Sequence, residues 1–197
     1  MKTEIVDYKD NVIIDTEILK LNKEELSYLN IGAFNEKGGL ASIIGNSSTS
    51  VAGAAGESCG RYGFKPLVMA DGPAGLRVSP LYYEDHKGIH PYGPAIPLTV
   101  LEFLPRILQI FLGRKPKLKK DIILKEQYTS AIPVATAIAQ SFNEETAKVC
   151  GDIIGLEMEI FHIDLWLAPA LNIHRHVLCG RNFEYFSEDP LISGRFA

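Results

Sequence analysis

The stretch Leu165–Pro190, LWLAPALNIHRHVLCGRNFEYFSEDP, carries the reading of the fold. Together with the preceding Asp164 it opens as an apolar run, Asp164-Leu165-Trp166-Leu167-Ala168-Pro169, which predicts a buried strand. A polar loop follows. Ser187-Glu188-Asp189-Pro190 then predicts a helix start, with serine as the cap and acids and proline in the first turn. Upstream, Ala147, Cys150, Ile154, Met158 and Phe161 recur at steps of three and four, the apolar stripe of a helix over about residues 144–160. Asn143 predicts its N-cap, and Glu144 and Glu145 put negative charge in the first turn, where it suits the helix dipole.

Further upstream, Ile132 to Ile138 (IPVATAI) reads as another buried strand. Pro66-Leu67-Val68-Met69-Ala70 reads as a third, ended by the turn Asp71-Gly72-Pro73. Strands alternating with helices imply parallel βαβ units. Three such strands do not close a barrel, which needs about eight strands and roughly 250 residues. An open α/β domain and a partial (β/α)8 TIM-type barrel, about its first three βα units, both fit at this point.

The remaining segments are less regular. Residues 1–30 form a leading segment with a helix expected at Asn22–Asn30. Residues 31–60, rich in Gly, Ala and Ser, read as a loop with close backbone approaches. Residues 81–130 read as a variable insertion. The Pro-, Gly- and Tyr-bearing span 79–99 is expected to be irregular, and Pro105 is expected to kink or shorten an apolar helix over 100–112. Arg114, Lys115, Lys117, Lys119 and Lys120 are either a solvated basic loop or a place for an anionic partner. No internal repeat is visible.

The 197 residues suit one domain with a real core, and the 46% hydrophobic and 22% charged shares are ordinary for a globular protein. A net charge of -4 argues against a nucleic-acid partner. Cys59, Cys150 and Cys179 are distant and odd in number, with no CxxC pair, so free thiols are expected rather than a zinc ribbon or a redox motif. The acidic N-terminus lacks the pattern of a signal peptide. The apolar run Val100–Gly113 is too short and too interrupted to span a bilayer. These points imply a cytoplasmic protein without a membrane partner, in which the sequon Asn46-Ser47-Ser48 has no meaning.

In parallel α/β folds, chemistry gathers past the carboxyl ends of the strands. Asp71, Gln140 with Ser141, and the loop Asn172–Arg181 hold those places and are expected to converge on one rim. Asp71 reads equally as part of a tight turn or as a carboxylate that accepts two hydroxyls, with Arg77 near enough to pair with it. Arg175, Arg181, His174, His176 and Glu184 form a dense polar cluster. The guanidinium fork suits vicinal hydroxyls or a carboxylate, and an ion-pair network among Arg175, Arg181, Glu184 and Glu188 is the structural alternative. The HxH pair His174 and His176 lacks a third ligand, so no metal is expected. Trp166, the single tryptophan, is expected in the core rather than as a stacking platform.

These residues resemble a known family. Leu167–Gly194 (LAPALNIHRHVLCGRNFEYFSEDPLISG) closely resembles the signature region of glycoside hydrolase family 3. ADGPAGLR, at 70–77, resembles its first-strand motif, and GAAGES, at 53–58, is similar to the form in bacterial β-glucosidases of the family. The resemblance covers about residues 31–80 and 131–197. It implies a (β/α)8-type barrel that hydrolyses terminal β-linked sugars with retention, through two carboxyl groups about 5–5.5 Å apart. It implies that Asp71 and Arg181 bind the sugar and that no cofactor is needed. From the polar clusters themselves, Arg77, Arg175 and Glu184 are expected to support the site.

Val177 departs from the proline common at its position. The family's Lys-His motif and its nucleophilic aspartate, in a Ser-Asp-Trp-like context, have no counterpart before Ala197, and the acid/base has none either. Nor is there a sign of the family's second, sandwich domain. The expectation is therefore an incomplete N-terminal barrel domain over 1–197 that alone binds a small carbohydrate poorly and hydrolyses nothing. Two alternatives stand beside it. One is a non-catalytic carbohydrate-binding module. The other is a half-barrel completed by a second copy or by the remainder of the enzyme.

Overall fold

The computed structural model describes residues 5–6, 12–13, 16–31, 50–58, 62–86, 88–93, 102–113, 117–118 and 121–197. β1 (Ile5–Val6) pairs antiparallel with β2 (Val12–Ile13). α1 (Lys23–Ile31) follows where the leading helix is expected. Asn22 Oδ1 accepts from the Glu24 and Glu25 amides at 2.9 and 3.0 Å, and Glu25 Oε2 accepts from the Asn22 amide at 2.8 Å. This reciprocal capping satisfies the amide groups that a helix start leaves unpaired.

β3 (Gly56–Glu57) runs antiparallel to β4 (Val68–Ala70), the strand expected from 66–70. Within the part of 31–60 that is described, Gly53 has φ +85°, and a Cβ there would lie 2.2 Å from the Ser79 amide nitrogen, a close approach as expected. The span 79–99, expected to be irregular, instead contributes a hairpin of β5 (Leu81–Asp85) and β6 (Gly88–Pro91). Pro80 and Pro91 mark the ends and Gly88 the turn, while the tyrosines between them are good strand formers.

α2 (Arg106–Leu112) begins directly after Pro105, so the proline shortens the helix instead of kinking it. Of the basic patch, Lys117 is exposed, and Arg114, Lys115, Lys119 and Lys120 lie outside the described residues. β7 (Leu124–Glu126) joins the far side of β5 to complete a three-stranded antiparallel sheet.

The segment 132–138 corrects the expectation most. It is not a strand: α3 (Ala135–Gln140) occupies it, after Pro133 and an extended Val134. Its buried residues are Ala135, Ile138 and Ala139, the spacing of one helix face and not the alternation of a strand. A short apolar run has no decisive period of its own, and the three alanines of α3, Ala135, Ala137 and Ala139, favour helix. α4 (Glu144–Phe161) spans the expected helix, with Asn143 Oδ1 accepting from the Glu145 amide at 3.1 Å. β8 (Leu165–Trp166) then lies parallel to β4, pairing Met69 with Leu165 and Ala70 with Trp166. α5 (Pro190–Phe196) ends the chain, capped by Asp189 rather than by Ser187.

Among the described residues the protein is thus a mixed α/β fold with small sheets and one parallel pair, β4 with β8, not three successive parallel strands. Two apolar clusters form the core. Val51, Ala54, Val68, Ala70, Leu76, Ile154 and Ile163 pack beneath the parallel pair. Ala135, Ile138, Ala139, Cys150, Phe186 and Phe196 join α3, α4 and α5. α4 bridges them through Cys150 and Ile154, one turn apart on the stripe. Burial of a side chain such as Ile154, 1% exposed, contributes about 1.5–3 kcal/mol. No helix among the described residues is long and apolar enough to cross a membrane.

Candidate functional site

Past the carboxyl end of β4 the chain turns sharply. Gly72 and Gly75 have φ near +125°, and a Cβ at either would lie 1.9 or 2.2 Å from a carbonyl oxygen, so only glycine fits. The turn is closed by the Arg77 amide donating to Asp71 O at 2.8 Å. Asp71 Oδ1 accepts from the Gly72 amide at 2.9 Å, and Oδ2 pairs with the Arg77 guanidinium. Trp166, from the neighbouring strand, donates its Nε1–H to Gly72 O at 3.0 Å. It is partly buried against the core, so it supports the Asp71 turn from beneath.

The loop after β8 delivers the second half of the site. A 3-10 turn, Asn182–Glu184, carries Arg181 at its start and the buried Glu184 at its end. The two pair through Arg181 Nε and Glu184 Oε1. The Glu184 carboxylate raises the proton affinity of Arg181 further, with smaller contributions from Tyr185 and Asp71, so the guanidinium is charged at every working pH. The Tyr185 ring lies 6.0 Å from the Arg181 guanidinium carbon.

The turn and the loop meet across an open cleft of about 480 Å³, within the range of small-molecule sites. Asp71, Arg77, Thr129, Ser130, Arg181 and Glu184 bring polar groups to its wall. Both carboxylates in the wall are tied to guanidinium groups. Such paired sites offer donors and acceptors side by side, the pattern that matches adjacent hydroxyls.

The four residues Asp71, Arg77, Arg181 and Glu184 are therefore brought together. Arg175 is not: it is exposed and absent from the lining of this cleft. Gln140 and Ser141 are not on the rim either, because they end α3 instead of following a strand. Of the alternative ion-pair network, only the Arg181–Glu184 pair forms among the described residues. His174 Nε2 faces the carbonyls of Asn182 and Tyr185, and His176 Nδ1 accepts from the Leu178 amide.

Residues not singled out from the sequence complete the scaffold. Thr129 Oγ1 donates to Leu76 O at 2.6 Å, and the Ser130 amide donates to Glu157 Oε1 at 2.7 Å. Thr136 Oγ1 reaches the 182–185 turn. No local signal marks them, since each serves a partner tens of residues away.

No family model matches the chain. It is 41% identical over 137 residues to the thermostable beta-glucosidase B of Acetivibrio thermocellus, covering 70% of this chain and 14% of that protein. It is 46% identical over 69 residues to beta-glucosidase A of Butyrivibrio fibrisolvens, covering 35% of this chain and 8% of that protein. Among solved structures, beta-glucosidase 3B from Thermotoga neapolitana in complex with alpha-D-glucose matches with a TM-score of 0.60 at 33% identity, covering 92% of this chain and 20% of that one. The chain thus spans a small fraction of the length of the relatives it matches.

Proposed function

Since this chain is a β-glucosidase-like sequence of glycoside hydrolase family 3, we propose that it supplies the sugar-holding part of a hydrolase acting on terminal β-linked sugars. Asp71 and Arg181 bind hydroxyls of the sugar, and Arg77 and Glu184 hold those two side chains in place. Arg175 has no part in the grip. Residues 1–197 form part of the barrel domain, with β4 and β8 as two of its strands and 81–130 as an insertion. The observation that carries this reading is the cleft at the end of the parallel pair, where the Asp71 carboxylate and the Arg181 guanidinium line one wall.

Bond cleavage needs a nucleophile and an acid/base. In this reading both roles fall to residues other than Asp71 and Glu184, which are each engaged by an arginine. The test is titration of the 197-residue chain with glucose, followed by NMR, beside an assay with an aryl β-glucoside. The expected result is weak binding, with a Kd on the order of 10 mM, lost in Arg181→Ala and Asp71→Asn, and no turnover. Turnover that disappears in Asp71→Asn contradicts the assignment of catalysis elsewhere. Binding at about 1 mM or tighter, without turnover, favours a non-catalytic carbohydrate-binding module instead.

A second reading, a half-barrel completed by another chain, is favoured by one observation. Val149, Ile153, Leu156 and Ile160 on α4 are exposed, as are Leu165 and Leu167 at β8. An apolar face of this kind marks an interaction surface. Size-exclusion chromatography tests it, and a chain that remains monomeric at high concentration counts against a second copy as the partner.

A further inference from the structure

Two donors from separate parts of the chain converge on the turn that carries Arg181 and Glu184. Thr136, on α3, has its Oγ1 2.8 Å from Tyr185 O and 3.0 Å from Asn182 O, with Phe183 O at 3.3 Å. His174 has its Nε2 2.8 Å from Asn182 O and 3.0 Å from Tyr185 O. Carbonyl oxygens only accept, so Nε2 carries a proton, and the hydroxyl has a single proton to give. Each donor therefore serves its nearer carbonyl: Thr136 holds Tyr185 O and His174 holds Asn182 O.

His174 also closes the loop at its neck, where its amide donates to Ser187 O at 3.1 Å. The turn's own bonds are long, from the Glu184 amide to Arg181 O at 3.1 Å and from the Tyr185 amide to Asn182 O at 3.2 Å. Neither Thr136 nor His174 lines the cleft. Both border a separate depression of about 250 Å³ between α3 and the start of α5. Any effect they have on the cleft passes through the backbone of residues 182–185.

We propose that Thr136 and His174 are positioning residues for sugar binding, a pair of donors that hold the 182–185 backbone so that Arg181 and Glu184 face the cleft. The inference rests on the reading of that cleft as the sugar site. Thr136→Val keeps the shape and removes the donor, whereas Thr136→Ser keeps the donor.

The experiment measures amide hydrogen exchange at Glu184 and Tyr185 by NMR, and glucose affinity, in the 197-residue chain and both variants. The expected result for Thr136→Val is exchange about tenfold faster at those two amides. Its glucose affinity is expected about fivefold weaker, the scale of one hydrogen bond. Thr136→Ser is expected to restore both. Unchanged exchange in Thr136→Val overturns the inference, and so does faster exchange with unchanged affinity. A Thr136→Ser variant that behaves like Thr136→Val also overturns it, because shape and not the donor would then matter.

If the parent chain takes up no glucose, the sugar reading fails by itself. The clamp is then judged on exchange alone, by the same contrast between valine and serine. Should Thr136→Val not fold, His174→Phe removes the other donor and is read in the same way.

Discussion

The region around β4 and β8 and the antiparallel sheet of β5, β6 and β7 are held together by different means. Around the parallel pair, single polar groups reach across long stretches of sequence to one backbone atom each: Trp166 to Gly72, Thr129 to Leu76, Asp164 to Val68 and Thr136 to Tyr185. Beneath them lies the better-buried core. The antiparallel sheet relies on its ladder and on pairs at the surface. Tyr83 stacks on His90 at 5.1 Å, His90 meets Asp85 at 2.9 Å, and Glu84 meets Lys125 at 2.7 Å. Its residues are half-buried or exposed. Gln127 ties it to the rest by donating to Ala52 O and Ser79 O at 3.0 and 2.9 Å. A region built on unique contacts tolerates little change, and one built on repeated, exposed pairs tolerates more.

Removal of the core side chain at Ile154 puts the greatest strain on this contrast. Ile154→Ala is expected to cost about 3 kcal/mol in urea unfolding, and amide exchange is expected to rise first at β4 and β8. Equal acceleration in β5 and β6 would erase the distinction between the regions. Next, Gly75→Ala forces a Cβ to 2.2 Å from Ser130 O at φ +126° and is expected to cost about 2 kcal/mol. Gly93→Ala, at the end of the hairpin with nothing within 4 Å, is expected to stay within about 0.5 kcal/mol. Similar thermal shifts for the two glycines would break the comparison.

Tyr83→Ala removes one cross-strand stack, and the same melts are expected to record a loss below about 1 kcal/mol. The smallest effect concerns Lys125, whose hydrogen bond to Glu84 raises its proton affinity. A lysine held in its charged form by folding stabilises fully below the unfolded value, about pH 10.4, and loses that contribution as pH rises through the folded value. The side chain is exposed, so comparison of Lys125→Met with the parent between pH 8 and 11 is expected to show a slight convergence at the alkaline end.

Much of the local structure was legible in the residues. The stripe from Ala147 to Phe161 with Asn143 before it specified α4, because helix period and capping act within a few residues. Asp71-Gly72-Pro73 specified a turn, and the apolar runs around Val68 and Leu165 specified strands. IPVATAI misled because a largely apolar run of seven residues fits a strand or a helix, and its environment decided between them. The hairpin was hidden by its own prolines and glycine, which punctuate a strand pair and a loop alike.

The candidate site divides along the same line. The sequence by itself determined the residue types: carboxylates and guanidinium groups beyond two strands, in motifs that resemble a sugar hydrolase. Only the tertiary structure decided that Arg181 and not Arg175 lines the cleft, that Arg77 pairs with Asp71, and that Glu184 pairs with Arg181. The physical reason is distance along the chain. Capping, period and turn preference are written into neighbouring residues, whereas the aim of a side chain depends on backbone held by partners 49 or 94 positions away, as Thr136 holds Tyr185 and Trp166 holds Gly72.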